Sequence, residues 1–70
     1  MKEYAVIIDK TEDGYGACVP DLPGCITSGD AVEETLDLIK EAIAMHLELM
    51  AESGEEIPEP TNVVATVKAA

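Results

Sequence analysis

The chain has 70 residues, with 15 acidic against 4 basic side chains, a formal net charge of −11 and a sequence pI near 4.1. A surface this negative repels phosphate backbones, which excludes direct DNA or RNA binding from the expected functions. An apolar fraction of 47% with only two aromatics, Tyr4 and Tyr15, predicts one small domain over 1–70 whose core is built from Val, Ile, Leu, Met and Ala.

Taken in chain order, "KEYAVIID" is a β-rich run whose consecutive apolar residues Tyr4 to Ile8 suit a central strand buried on both faces. Asp13-Gly14 is a hairpin signal leading into a second strand, Tyr15 to Val19. Pro20, Pro23 and Gly24 end that strand in a tight corner, and "CIT" begins a third. A long helix follows, with Asp30 placed to cap it, Glu33 completing a D-x-x-E box and Gly54 as its stop. The β-branched run "TNVVATV" reads as a fourth strand. These elements predict an α+β fold of order β-β-β-α-β: a mixed four-stranded sheet, strand order 3-2-1-4, with one helix on one face.

The helix carries the most informative pattern. At about 100° per residue, Val32, Leu36, Ile39, Ile43, Leu47 and Met50 form the stripe expected to face the sheet. Beside it Leu38, Ala42, Met45 and Leu49 extend the apolar arc to roughly 200°, more than one sheet face can cover. Leu38, Met45 and Leu49, with the acids Glu33, Glu34 and Asp37, are therefore the candidate partner-binding residues. The uncovered second sheet face and the free strand edges point the same way, toward a homo-oligomer, dimer or tetramer, or another protein partner.

Chemistry-bearing groups are sparse. His46 is the single histidine and falls inside the apolar arc, as a core or interface imidazole does. Ser28 stands beside a helix start, with no G-x-S-x-G elbow around it. Asp9 reads as a strand-end acid, and Cys18 and Cys25, with six residues between them and no third thiol, read as reduced buried thiols and not as a zinc site. No catalytic residue, cofactor or metal is expected. No stretch is long and apolar enough for a bilayer, and "MKEYAVII" has an acid where a signal peptide carries basic residues, so a cytoplasmic protein is expected, away from membranes.

The segment "GYGACVPDLPGCITSGDAVEETLDLIKEAI", with the helix exit through Gly54, Ile57, Pro58 and Pro60, resembles the HicB family of antitoxins. The resemblance spans nearly the whole chain. It implies a partial ribonuclease-H-like domain that binds and blocks HicA, a small basic RNA-cleaving toxin, by covering its RNA-binding and active surface. It is also shared by stand-alone HicB-like proteins without a toxin, and a minimal metal-dependent nuclease built on Asp9 is a third alternative. Full-length HicB antitoxins usually continue into a DNA-binding domain. These 70 residues leave no segment for one, and operon repression is not expected of them. The corner from Val19 to Asp30 either contacts a partner or only shapes the fold.

Overall fold

The computed structural model describes residues 2–69, which fold as β1 (Ile7–Lys10), β2 (Tyr15–Cys18), β3 (Ile26–Gly29) and α1 (Val32–Glu52). The three strands form an antiparallel meander of order β1-β2-β3, with Ile7 opposite Cys18, Ile8 opposite Ala17, and Ala17 opposite Thr27. Helix α1 lies on one face, packed against β3 and β2.

The core is small and sits beneath the corner. Ala17, Val19, Leu22, Cys25 and Ile39 form the buried cluster, with Tyr4, Val6, Ile8, Ala42, Ile43, Leu47 and Met50 packed around it. The corner closes on itself: Val19 N–H donates to Cys25 O at 3.2 Å, Leu22 N–H to Val19 O at 3.0 Å and Cys25 N–H to Leu22 O at 3.0 Å. Gly24 turns the chain at φ 85°, a left-handed conformation that a side chain would strain. This loop drives Leu22 inward until only 1% of it is exposed.

Four expectations need correction. The predicted mixed four-stranded sheet of order 3-2-1-4 is a three-stranded antiparallel sheet, and the order is β-β-β-α. The β-branched segment 61–69 is exposed and joins no ladder. Its first residues lie against Glu3, Tyr4 and Ala5, upstream of the point where β1 begins to pair, so it enters no register with β1. Consequently β1 is an edge strand with exposed Ile7, not a central strand buried on both faces.

The third correction concerns the start of the helix. Its N-cap is Ala31, extended at φ −137° and ψ 159°, and no side chain caps from that position. Asp30 is the residue before the cap, and its N–H donates to the Glu34 carboxylate at 2.8 Å, so the reciprocal half of a capping box survives one residue later than the D-x-x-E spacing suggested. Thr35 is fully buried there, its hydroxyl donating to Ala31 O at 2.7 Å.

The fourth correction is the rotation of the helix. Thr35 and Ile39 are its buried residues, while Val32 and Leu36 of the expected sheet-facing stripe are exposed. Gly29 explains this, because a Cβ there would stand 2.6 Å from the Thr35 hydroxyl. Without one, Thr35 settles against the end of β3 and turns the helix toward it. At its other end α1 stops as expected in a Schellman motif, with Glu55 N–H donating to Met50 O at 2.9 Å and Gly54 N–H to Ala51 O at 3.2 Å.

Gly14 holds the hairpin turn against the strand-helix junction. A Cβ on it would stand 2.3 Å from Gly29 O, a backbone atom that cannot move without shifting the start of α1. Gly14→Ala is therefore expected to destabilise the fold by about 1–3 kcal/mol, read as a lower midpoint in thermal or urea melts. An unchanged midpoint would show that the turn is not clamped.

Candidate partner-binding surface

The apolar stripe beside the buried helix face is open. Met45 is 63% exposed, Leu49 is also exposed, and Leu38, about two turns before Met45, is half-buried. Between this stripe and β3 runs a groove lined by Gly24, Cys25, Ile26, Ala42, Met45, His46 and Leu49. Ile26, on the sheet edge, is 70% exposed. A second groove adjoins it around Pro23, His46, Leu49, Met50, Ser53 and Glu55. His46 lines both, half-buried, which places it at a surface groove and not in a closed core.

Acids border the stripe on its other side. The i to i+3 and i+4 spacings put Glu34 beside Leu38, Glu41 and Glu48 beside Met45, and Glu52 beside Leu49, all exposed. Glu34 is tied to the helix start by its bond to Asp30 N–H. Glu33 and Asp37 are exposed too but lie further round the helix, about 100–140° from the stripe at 100° per residue. The structure thus joins Leu38, Met45, Leu49 and Glu34 in one surface and leaves Glu33 and Asp37 outside its border. Glu41, Glu48 and Glu52 were not singled out in the sequence, although their spacing from Met45 and Leu49 was there to be read.

The open sheet face adds a smaller apolar row. Register places Ile7, Cys18 and Ile26 side by side in one row across the sheet, which meets the groove at Ile26 on the β3 edge. Cys18 is half-buried and Cys25 fully so, both unpaired thiols, and burial pushes the Cys25 thiol pKa up. Asp9 is exposed opposite Gly16. A polar cleft at the helix start is lined by Asp13, Asp30 and Glu34 with Thr11, Tyr15 and Ser28. Among the described residues no three His, Cys, Asp or Glu side chains converge as metal ligands would, and no helix is long and apolar enough to cross a membrane.

The arrangement carries an apolar groove with an acidic border, features of a surface that docks a protein. A family described as "HicB_like antitoxin of bacterial toxin-antitoxin system" matches residues 4–70. The chain belongs to this HicB-like antitoxin family.

Among relatives, a UPF0150 protein of Thermoplasma acidophilum is 46% identical over 68 residues, covering 96% of this chain and 99% of its own length. An uncharacterised 14.9 kDa protein from the rep-hol intergenic region of Haemophilus phage HP1 is 47% identical over 55 residues, covering 79% of this chain. This HicB-like chain spans 41% of the phage protein's length. Among solved structures, a chain of the HicA3 and HicB3 toxin-antitoxin complex superposes with a TM-score of 0.73 at 30% identity, over 84% of this chain and 70% of that one.

The groove's exposure separates its energetics from the core's. Met45→Ala with Leu49→Ala is expected to change unfolding free energy by less than about 1 kcal/mol, whereas Leu22→Ala should cost about 2–5 kcal/mol. Urea titrations of the two variants check this, and equal losses would mean that the stripe is part of the core.

Proposed function

We propose that this HicB-like chain is an antitoxin that binds a HicA-like toxin and covers its RNA-binding surface, with no hydrolytic activity of its own. The observation that carries the reading is the match, at 30% identity and a TM-score of 0.73, to a chain of a solved HicA–HicB complex. Membership of the antitoxin family supports it over most of the chain.

The chemistry of the surface gives the reading a mechanism. An RNA-cleaving toxin must present a positive surface to phosphates, and a chain of net charge −11 competes with RNA for it. Leu38, Met45 and Leu49 supply the desolvated anchor. Glu34, Glu41, Glu48 and Glu52 form the charged rim, and Glu33 and Asp37 add to the field from further round the helix. Rim charges govern mainly the rate of encounter, and the buried apolar contact governs how long the complex lasts.

A second reading, a stand-alone HicB-like oligomer without a toxin, draws support from the nearly full-length match to the Thermoplasma protein. The two separate in one experiment. The product of a short basic reading frame adjacent to this gene is purified and titrated with the chain, and its RNA cleavage is measured. Binding with loss of cleavage is expected. Failure to bind, or binding that leaves cleavage intact, would remove the antitoxin reading and favour the oligomer.

Within a complex, Met45→Ala with Leu49→Ala should raise the dissociation rate at least about tenfold with little change in association. Glu41→Gln with Glu48→Gln should instead slow association several-fold and flatten its salt dependence. Stopped-flow association and surface-based dissociation measurements check both. Magnesium- or manganese-dependent nuclease activity of the chain alone that Asp9→Asn abolishes would overturn the non-enzymatic assignment.

A further inference from the structure

The two edges of the sheet differ in what guards them. β1 and β3 each pair only with β2, so each has one side free. Along β1 that side carries charge: Asp9 and Lys10 are both exposed, and charged side chains, lysine above all, keep other strands off an edge. β3 has no such guard. Residues 22–29 are uncharged in a chain of net charge −11, Ile26 is open to solvent, and Ser28 is exposed two residues further on.

The register fixes which backbone groups of β3 are free. Cys18 stands opposite Ile26, and Val19 N–H donates to Cys25 O, which makes Cys18 and Ile26 a non-hydrogen-bonded pair. By alternation Thr27 bonds to Ala17, while the N–H and C=O groups of Ile26 and Ser28 turn away from β2. No other strand among the described residues meets them. The same alternation turns Ile8 and Lys10 outward on β1, since Thr11 N–H donates to Gly14 O beside the Lys10–Tyr15 pair.

The chain's own β-branched segment is held elsewhere. Asp21 accepts from Thr61 N–H at 3.1 Å and from Asn62 N–H at 3.4 Å, Tyr4 donates its hydroxyl hydrogen to Pro58 O at 2.6 Å, and the Lys2 ammonium pairs with Glu59. Asn62, Val63 and Val64 lie against Glu3, Tyr4 and Ala5, on the β1 side. A second copy is opposed by charge, because it would bring a further −11 to a groove bordered by Glu41, Glu48 and Glu52.

The two ends of the β3 edge specify what fits it. At Ile26 the edge opens into the apolar groove with Met45 and Leu49. At Ser28 and Gly29 it opens into the polar cleft, whose lining includes Asp13, Asp30 and Glu34 and no basic residue. Glu34 is engaged by Asp30 N–H, and the Asp13 and Asp30 side chains are exposed. Ile26 and Ser28 are one strand repeat apart, about 7 Å. We propose that the HicA-like partner lays an extended segment along β3 as a fourth strand, with an aliphatic side chain in the groove at Ile26 and a lysine or arginine in the cleft at Asp13 and Asp30. The proposal rests on the antitoxin reading for the identity of the partner and adds how it is held. Backbone pairing to Ile26 and Ser28 supplies affinity, and the two unlike ends set the register of the added strand. An acidic side chain in the cleft would meet like charges, so the partner's residue there is basic. A helix laid in the groove would cover Met45 and Leu49 but leave the outward backbone groups of β3 unpaired.

The test uses the full chain with the purified product of the adjacent short basic reading frame and reads amide hydrogen exchange by nuclear magnetic resonance, free and in the complex. The Ile26 and Ser28 amides should slow at least about tenfold on binding, with Ile8 and Lys10 unchanged. Ser28→Pro removes an outward donor without breaking a bond to β2 and should weaken binding at least about tenfold with the helical circular dichroism unchanged. Asp13→Asn with Asp30→Asn keeps the shape of the cleft and should weaken binding several-fold, an effect that fades in high salt. A complex that forms and loses RNA cleavage while Ile26 and Ser28 exchange as in the free chain would overturn strand addition and leave the antitoxin reading standing. Protection at Ile8 and Lys10 instead would overturn it too. Absence of any complex would remove the antitoxin reading and this proposal with it.

Discussion

Everything in this molecule hangs on the burial of Leu22. A chain with two tyrosines and no tryptophan or phenylalanine has few large side chains with which to fill the space between a helix and three short strands. The corner from Val19 to Cys25 supplies one by folding back on itself and pressing Leu22 into the cluster with Ala17 and Ile39. Once it is placed, Val19 and Cys25 at the ends of the loop are buried too, and β3 must start where the loop releases it. The same loop turns Asp21 outward to grip the segment after the helix, so one short stretch organises both the interior and the far end of the chain.

Local structure was legible wherever it depended on local chemistry. The Asp13-Gly14 turn, the proline-bounded corner and the termination at Gly54 each rest on the conformational limits of one or two residues, and each stands where the sequence placed it. What escaped was set by packing between distant segments. The helix is rotated because Gly29 lets Thr35 approach the sheet, and no helical projection contains Gly29. The cap falls on Ala31 for the same reason, since the junction is fixed by Thr35 and Glu34 and not by the best capping side chain available. The β-branched segment 61–69 has strand composition, but composition does not say which edge it meets, and it meets none.

The candidate surface divides along similar lines. Periodicity alone showed that the helix had more apolar arc than a sheet could cover, and Met45 and Leu49 are indeed open. It could not show that Ile26 and Gly24 complete a groove with them, because that depends on β3 running beside the helix. The acids were legible in part. Helical spacing alone sets Glu34, Glu41, Glu48 and Glu52 along one border of the stripe and Glu33 and Asp37 further round, whereas how much of the stripe stays open depends on the rotation of α1.

The grip of Asp21 on Thr61 and Asn62 also has a mechanical meaning. The contacts of Asp21 with Thr61 and Asn62, of Lys2 with Glu59 and of Tyr4 with Pro58 lie in sequence between residues 63–69 and the helix. A pull on residues 63–69 would load Asp21 first, then Lys2 and Tyr4, before any force reached the Schellman turn and the helix. Tension on that end would therefore be felt first at the corner that carries Leu22 and last at α1.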